Sequence, residues 1–203
     1  MTETLSLAEI AEAIRSCTRC PLHQTRRNPV PGEGPEDARV MLVGEAPGYY
    51  EDRSGRPFVG AAGRVLDELL ALAGLRRDQV FITNIIKCRP PKNRDPKPEE
   101  LQACQPYLRQ QILAIDPDVI VTLGRFSMQY FLPGAKISQV HGRPFRRGKR
   151  WIVPMYHPAV ALYRPPLRAV MEEDYRALGK ALREWGILPD DAPDSEAASQ
   201  EGD

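Results

Sequence analysis

Three polar side chains of kinds that often do chemistry lie at or just beyond the ends of short apolar segments: Glu45, Asn84 and His157. A carboxylate can activate water, an amide can read the edge of a planar base, and an imidazole can stabilise developing charge. The alternatives are a solvated carboxylate in an ordinary turn, an amide that pairs with nearby backbone, and a structural histidine. If the apolar segments are parallel strands, their ends share one edge of a sheet, so we expect the three side chains to meet in one crevice.

Two glycine-containing loops, 44–48 and 55–60, follow the first of these segments. A tight loop after a buried strand can bring backbone N–H groups close to a ligand. The same pattern is also typical of an ordinary strand-to-helix turn, because short glycine motifs are weak signals.

Four cysteines occur in the chain: Cys17 and Cys20 in a Cys-x2-Cys pair, and the separate Cys88 and Cys104. With no export signal, a disulfide framework is not expected. They could be unlinked core residues, zinc ligands or iron–sulfur ligands. The spacing of the cysteines alone supports zinc and an iron–sulfur cluster about equally.

Charge is unevenly distributed along the 203 residues. Six acidic and no basic residues occur in 189–203, which we expect to be a disordered acidic tail. Without those six, the chain has 28 basic and 21 acidic residues, a net charge of +7. We expect one folded domain over residues 1–188, compatible with binding a polyanion. No apolar run of membrane-spanning length and no signal peptide is found, so the expected location is the cytoplasm, without membrane association.

Hydrophobic periodicity predicts four strands separated by helices. The predicted strands are 39–43, 80–86, 118–124 and 151–156, and the predicted helices are 6–16, 60–74, 99–115 and 167–185. The first helix begins with a capping box formed by Ser6 and Glu9. This order predicts an α/β fold, a three-layer α/β/α sandwich with a central four-stranded, mainly parallel sheet.

Taken together, these motifs resemble the family-4 uracil-DNA glycosylases, the iron–sulfur class found in many thermophilic bacteria and archaea. The resemblance covers nearly everything from Cys17 to Trp185. It rests on the order of the four cysteines and on Gly44-Glu45-Ala46-Pro47-Gly48, Gly55-Arg56-Pro57-Phe58-Val59-Gly60, Thr83-Asn84-Ile85-Ile86-Lys87-Cys88-Arg89-Pro90 and His157-Pro158-Ala159.

The resemblance implies a structural 4Fe-4S cluster with Cys17, Cys20, Cys88 and Cys104 as its ligands. Two departures from relatives matter. Ala159 stands where relatives often have serine, so a phosphate contact there would come from backbone N–H groups. The related branch that traps uracil covalently has glutamine where this chain has Ala46, and a reactive histidine after a basic insertion. His141 follows no such run, so trapping is not expected.

The resemblance also implies that uracil is flipped out of DNA and excised by hydrolysis of the N-glycosidic bond, leaving an abasic site. Phe58 would stack on the base and Asn84 would read its N3–H and O4. His157, with main-chain groups around Ala46 and Pro47, would stabilise charge on O2. Glu45 would position the water, or main chain would do so. The substrate-binding set is Gly44, Glu45, Ala46, Pro47, Gly48, Phe58, Asn84 and His157.

The loop 87–98 holds five basic residues among four prolines, which indicates either a stiff solvated loop or a rim that contacts phosphates. We expect DNA contacts from Lys87, Arg89, Leu162, Tyr163 and Arg164, with residues 161–164 entering the minor groove. The expected partner is uracil-containing DNA, single- or double-stranded, bound by a monomer. The rival hypotheses are a non-catalytic iron–sulfur DNA-binding or damage-sensing protein and a small-molecule enzyme that binds a nucleotide in the crevice.

Overall fold

The computed structural model describes residues 4–190, which form a single sheet with helices on both faces. The helices are α1 (Leu7–Arg15), α2 (Tyr49–Ser54), α3 (Ala61–Leu72), α4 (Pro98–Ile115), α5 (Arg125–Phe131), α6 (Ile137–Val140), α7 (Val160–Tyr163) and α8 (Arg168–Glu184). The strands are β1 (Val40–Gly44), β2 (Phe81–Asn84), β3 (Val119–Leu123), β4 (Phe145–Arg147) and β5 (Arg150–Met155). None of the helices in this range has the length and apolarity needed to span a membrane. Residues 191–203 of the expected acidic tail lie outside the described range, so that prediction and the domain boundary at 188 stay predictions.

The order of strands in the sheet is β2–β1–β3–β5–β4. β1 lies between β2 and β3 and is parallel to both, and β3 is parallel to β5. The expected α/β fold with a mainly parallel sheet is therefore confirmed. Because these four strands run in one direction, the segments that follow them emerge at the same edge of the sheet.

The sheet has five strands where four were predicted, because the short strand β4 pairs antiparallel with β5. The sequence offered little signal for β4, since it is only three residues long and two of them are exposed arginines. A two-residue turn joins β4 to β5, and Gly148 adopts a φ of 58° there, a left-handed conformation that glycine adopts without strain.

Each face of the sheet packs against its own set of helices. In β1, Val40 and Leu42 belong to the apolar cluster that includes α3 and α8. The alternate residues, Met41 and Val43, belong to the cluster that includes α4 and α5. This alternation confirms the three-layer sandwich, since successive strand residues point to opposite faces.

Helix α1 begins at the predicted capping box, in which the Glu9 N–H donates to Ser6 Oγ and the Ser6 N–H donates to the Glu9 carboxylate. Its buried residues Ile10 and Ile14 pack against Tyr107 of α4. This packing brings the segment with the first two cysteines next to α4, which carries Cys104.

Candidate active site

A crevice of about 910 Å³ lies at the edge of the sheet where the parallel strands end. Glu45, Asn84 and His157 all line it, together with Phe58. The expectation that these three polar residues meet in one crevice is therefore confirmed. They come from the ends of β1, β2 and β5, so the fold brings together residues more than 110 positions apart in the sequence.

The amide of Asn84 lies beside a position where no side chain fits. Gly44 is its register partner across β1 and β2, and a Cβ built on Gly44 would lie 2.4 Å from Asn84 Oδ1 and 2.8 Å from Phe58 Cζ. Asn84 is only 2% exposed, and its Oδ1 has no hydrogen-bond partner among residues 4–190. A buried acceptor without a partner is destabilising, so this atom is suited to accept a hydrogen bond from a ligand.

Phe58 is held in an unusual backbone conformation at the wall of the crevice. Its φ is 51°, in the left-handed region that non-glycine residues rarely adopt. Arg77 stabilises that conformation by donating hydrogen bonds to the carbonyl oxygens of Pro57 and Phe58, the latter at 2.8 Å. The Phe58 ring stacks against the His157 ring with 5.6 Å between centroids. Phe58 and His157 therefore form an aromatic wall of the crevice that Asn84 also lines.

One carboxylate joins the two glycine loops. Glu51 accepts a hydrogen bond from the Gly48 N–H at 3.0 Å, and its other oxygen accepts from Val59 and Gly60 at 3.0 and 3.1 Å. Sequence reasoning missed both Glu51 and Arg77. The position of Glu51 three residues after the N-cap Gly48 of α2 was an available signal, whereas nothing in the sequence marked Arg77.

His157 is held in a defined tautomer. The Ala159 N–H donates to His157 Nδ1 at 3.1 Å, so the proton of the neutral ring lies on Nε2. Burial lowers the pKa of His157 to about 4, because a charged imidazolium is poorly solvated there. The residue is therefore a neutral N–H donor near pH 7. The Ala159 N–H is thus bonded to this ring, and the expected phosphate contact from backbone N–H groups stays a prediction.

Glu45 has the opposite shift in pKa. Burial raises the pKa of Glu45 to about 7; the negative charge of Asp95 adds to the rise, and the Arg125 guanidinium opposes it. Asp95 and Arg125 form an exposed ion pair with an N–O distance of 2.9 Å. A carboxyl group with a pKa near 7 can exchange a proton at ordinary pH.

Few of the main-chain donors expected around Ala46 and Pro47 are available. Pro47 has no backbone N–H. The Gly48 N–H donates to Glu51. Of the segment 46–48, this leaves the Ala46 N–H for a bound group.

Lys87 does not face solvent, so the expectation that it contacts DNA is wrong. The side chain is 1% exposed, and its Nζ donates hydrogen bonds to Thr83 Oγ1, Asn84 O and Gln111 Oε1 at 2.6, 2.7 and 2.7 Å. Burial lowers the pKa of Lys87 to about 7, and the nearby Cys104 thiol opposes this shift. The sequence did not indicate that the Lys87 side chain points inward, because the surrounding loop is basic.

The other residues expected to contact DNA line the crevice or lie next to residues that line it. Tyr163 and Arg164 line it, and Leu162 and Tyr163 are 50% and 66% exposed. Arg89 lies with its guanidinium 5.3 Å from the centre of the Tyr49 ring, and its Nε donates to Asn93. Tyr49 and its neighbour Tyr50 are exposed crevice residues that sequence reasoning missed, although two adjacent tyrosines after a glycine loop were visible.

All four cysteines line a second, smaller cavity near α1 and α4. All four are free thiols in this structure. Burial raises the pKa of Cys20, Cys88 and Cys104, that of Cys104 to about 11. Thiols in such a cavity become thiolates readily only when a cation replaces their protons.

The chemistry of this cavity fits a thiolate-bound metal centre such as an iron–sulfur cluster. N–H groups of Arg19, Lys87 and Arg26 point at the sulfurs of Cys17, Cys104 and Cys88, at 3.5, 3.4 and 3.2 Å. Hydrogen bonds to sulfur are characteristic of cluster sites. Within residues 4–190, no three His, Cys, Asp or Glu side chains are arranged to hold one metal ion. Four thiols in one cavity, with N–H donors at three of their sulfurs, are a donor set that a cluster can use.

Comparison of the sequence with known proteins identifies the family of the chain. The profile of the uracil DNA glycosylase superfamily matches residues 31–181. The chain therefore belongs to the uracil DNA glycosylase superfamily.

Several relatives are more specific. The chain is 50% identical over 194 residues to the type-4 uracil-DNA glycosylase of Sulfurisphaera tokodaii, covering 91% of this chain and 86% of that protein. It is also 50% identical to the Archaeoglobus fulgidus type-4 enzyme (86% and 92% covered) and 47% identical to that of Saccharolobus solfataricus (89% and 88% covered). These similarities place the chain in the type-4 branch.

Replacing Gly44 by alanine should disturb the crevice, because the new methyl group would overlap Asn84 and Phe58. Overpacking of this kind typically lowers the free energy of unfolding by about 1–3 kcal/mol. Denaturant unfolding measures the change. The matched control is Gly134→Ala, where a Cβ meets nothing within 4 Å and only the left-handed backbone opposes the substitution. Equal stability of Gly44→Ala and wild type would show that the close approach is not as tight as described.

Proposed function

We propose that this chain is a monofunctional DNA repair glycosylase that hydrolyses the N-glycosidic bond of uracil in DNA and leaves an abasic site. The observation that carries the proposal is the buried Asn84 Oδ1, which lacks a partner among the described residues, in a crevice that Asn84 lines together with Phe58. The names of the type-4 relatives support the same activity.

Asn84 supplies the base discrimination. Its Oδ1 accepts the uracil N3–H, and its amide nitrogen donates to O4. Cytosine has an acceptor at N3 and a donor at N4, so both contacts are reversed and cytosine is rejected. The Phe58 ring covers one face of the flipped base, which can leave the duplex only by unstacking.

His157 and the main chain stabilise the leaving group. As the glycosidic bond stretches, uracil gains negative charge on O2, and the neutral imidazole donates its Nε2 proton in a hydrogen bond to that atom. The Ala46 N–H is a second donor. A neutral donor remains available over the whole working pH range, since the pKa of His157 lies near 4.

Glu45 orients the attacking water and balances positive charge on the sugar, as carboxylates do in other glycoside hydrolyses. It acts in the ionised form, because only a carboxylate can accept a proton from water. The ion pair of Asp95 and Arg125 lies close enough to influence its charge.

The DNA strand lies over the mouth of the crevice. Arg89 and Arg164 contact phosphates there, and Leu162 or Tyr163 on α7 fills the gap left by the flipped base. Both single- and double-stranded DNA containing uracil are substrates. The enzyme acts as a monomer in the cytoplasm.

A 4Fe-4S cluster is bound by Cys17, Cys20, Cys88 and Cys104. When bound, it supplies a rigid cross-link between these thiolates and no redox step. The four cysteines come from the segment after α1, the loop after β2 and helix α4, and they line one cavity. A cluster held by them would join these three segments and so restrain the loop that carries Arg89.

Release of free uracil from a uracil-containing oligonucleotide tests the function. We expect wild type to release it, and Asn84→Asp and His157→Ala to lower the single-turnover rate by about 10²- to 10³-fold, the usual effect of removing one preorganised donor. Tyr130→Phe, outside the crevice, is the control. Binding of the oligonucleotide by wild type without any release of uracil would refute the glycosylase and favour a DNA-binding role.

The pH profile tests Glu45. The single-turnover rate should rise with pH through about 7 as Glu45 ionises, since burial raises its pKa. Glu45→Gln should be slow and lack this step. Asp95→Asn should shift the step to lower pH, because it removes a negative charge near Glu45 and releases Arg125 from its ion pair. A step that persists in Glu45→Gln would belong to another group.

Metal analysis tests the cluster. We expect about four iron atoms per chain in protein purified without oxygen, and a large loss of iron in Cys104→Ser. Asn84→Asp is the matched control that should keep its iron while losing activity. One zinc ion per chain and no iron would contradict the assignment.

A further inference from the structure

Lys87 is a fully buried lysine for which the proposed mechanism has no use. All three N–H bonds of its ammonium group have acceptors, from β2, from the main chain of Asn84 and from α4. Burying an ammonium group is strongly unfavourable unless its donors are paired in this way. The arrangement therefore holds Nζ at a defined place.

The acceptors of Lys87 are themselves anchored. Thr83 Oγ1 and Gln111 Nε2 both donate to the carbonyl oxygen of Pro31, at 2.8 and 2.7 Å. The Val30 N–H donates to the carbonyl oxygen of Lys87 at 2.7 Å. The network thus connects β2, α4 and the segment before β1 into one hydrogen-bonded unit.

The contact with Asn84 fixes the peptide plane that follows the base-reading residue. The carbonyl oxygen of Asn84 accepts from Lys87 Nζ at 2.7 Å, and the N–H of the same peptide, on Ile85, donates to Gly44 O at 3.0 Å. A peptide unit bonded at both ends has little freedom to rotate. The direction of the Asn84 side chain depends on this plane.

Lys87 also contacts the cysteine cavity, from its main chain. Its backbone N–H donates to Cys104 Sγ at 3.4 Å, and the next residue is Cys88. One residue therefore bonds to Asn84 through its side chain and to the cysteine cavity through its main chain.

We propose that Lys87 is a positioning residue for uracil recognition, which aims the Asn84 amide by holding its main-chain carbonyl. This inference rests on the proposed function and deepens it. It predicts that Lys87 affects excision only through Asn84. A lysine that merely neutralised the cysteine cavity or stabilised the fold would affect the rate independently of the Asn84 side chain.

A double-mutant cycle separates these possibilities. Wild type, Lys87→Met, Asn84→Ala and the double variant are compared by single-turnover uracil excision and by affinity for an oligonucleotide with a tetrahydrofuran abasic-site analogue. Iron content and the unfolding midpoint are measured on each protein. Methionine matches the unbranched apolar part of the lysine side chain as far as Cε and removes its three N–H donors.

We expect Lys87→Met to lower the excision rate about 10- to 100-fold, the effect of a small misplacement of a reacting group. Its affinity for the abasic-site oligonucleotide and its iron content should match wild type. The double variant should be no slower than Asn84→Ala. The proposal would be overturned if Lys87→Met excised uracil as fast as wild type. It would also be overturned if Lys87→Met lowered the rate by the same factor whether or not the Asn84 side chain is present.

A second variant keeps the test decisive if Lys87→Met does not fold or loses its iron. Gln111→Met removes one acceptor of Lys87 without altering Asn84 or any cysteine, and should lower the excision rate in the same direction, again only when Asn84 is present. A rate equal to wild type in Gln111→Met would then overturn the proposal. Wild type that releases no uracil would instead refute the proposed function, which distinguishes the two failures.

Discussion

The active-site crevice depends on one close approach between two adjacent parallel strands. Gly44 and Asn84 are register partners at the ends of β1 and β2, and the absence of a side chain on Gly44 leaves room for both the Asn84 amide and the Phe58 ring. A methyl group on residue 44 would clash with Asn84 Oδ1 and with the Phe58 ring. The same hydrogen bonds that hold β1 and β2 together therefore determine where the amide lies relative to the aromatic wall.

Burial shifts the pKa values of Glu45 and His157 in opposite directions, and both shifts favour the uncharged form. Glu45 has a raised pKa and His157 a lowered one, each mainly because the crevice solvates charge poorly. The result is a neutral donor and a carboxyl group that ionises near neutrality, obtained without a direct contact between them. Different roles for two titratable groups thus follow from a shared environment.

Much of this arrangement could be predicted from the sequence, because it follows from periodicity and from the direction of strands. The convergence of Glu45, Asn84 and His157 needed only the assignment of three buried strands and the rule that parallel strands end at one edge. Strand β4 was missed because three residues with two exposed arginines carry no periodic signal.

Individual side chains were harder to predict. Lys87 lies in a basic, proline-rich loop, and only the tertiary structure shows that its acceptors come from Thr83, Asn84 and the distant Gln111. The left-handed backbone of Phe58 and its hydrogen bonds from Arg77 likewise depend on contacts between segments distant in sequence. Such contacts are outside what local patterns encode.

The packing of α1 against α4 has a consequence for the order in which the chain can fold during synthesis. Ile10 and Ile14 are made early, yet their contact Tyr107 and the cysteine of α4 emerge from the ribosome only about 90 residues later. Until then Cys88 is the only other cysteine made that could join the Cys-x2-Cys pair, and closing so long a loop is entropically unfavourable. His157 follows another 50 residues on. The growing chain therefore completes its cysteine cavity well before it can complete the crevice.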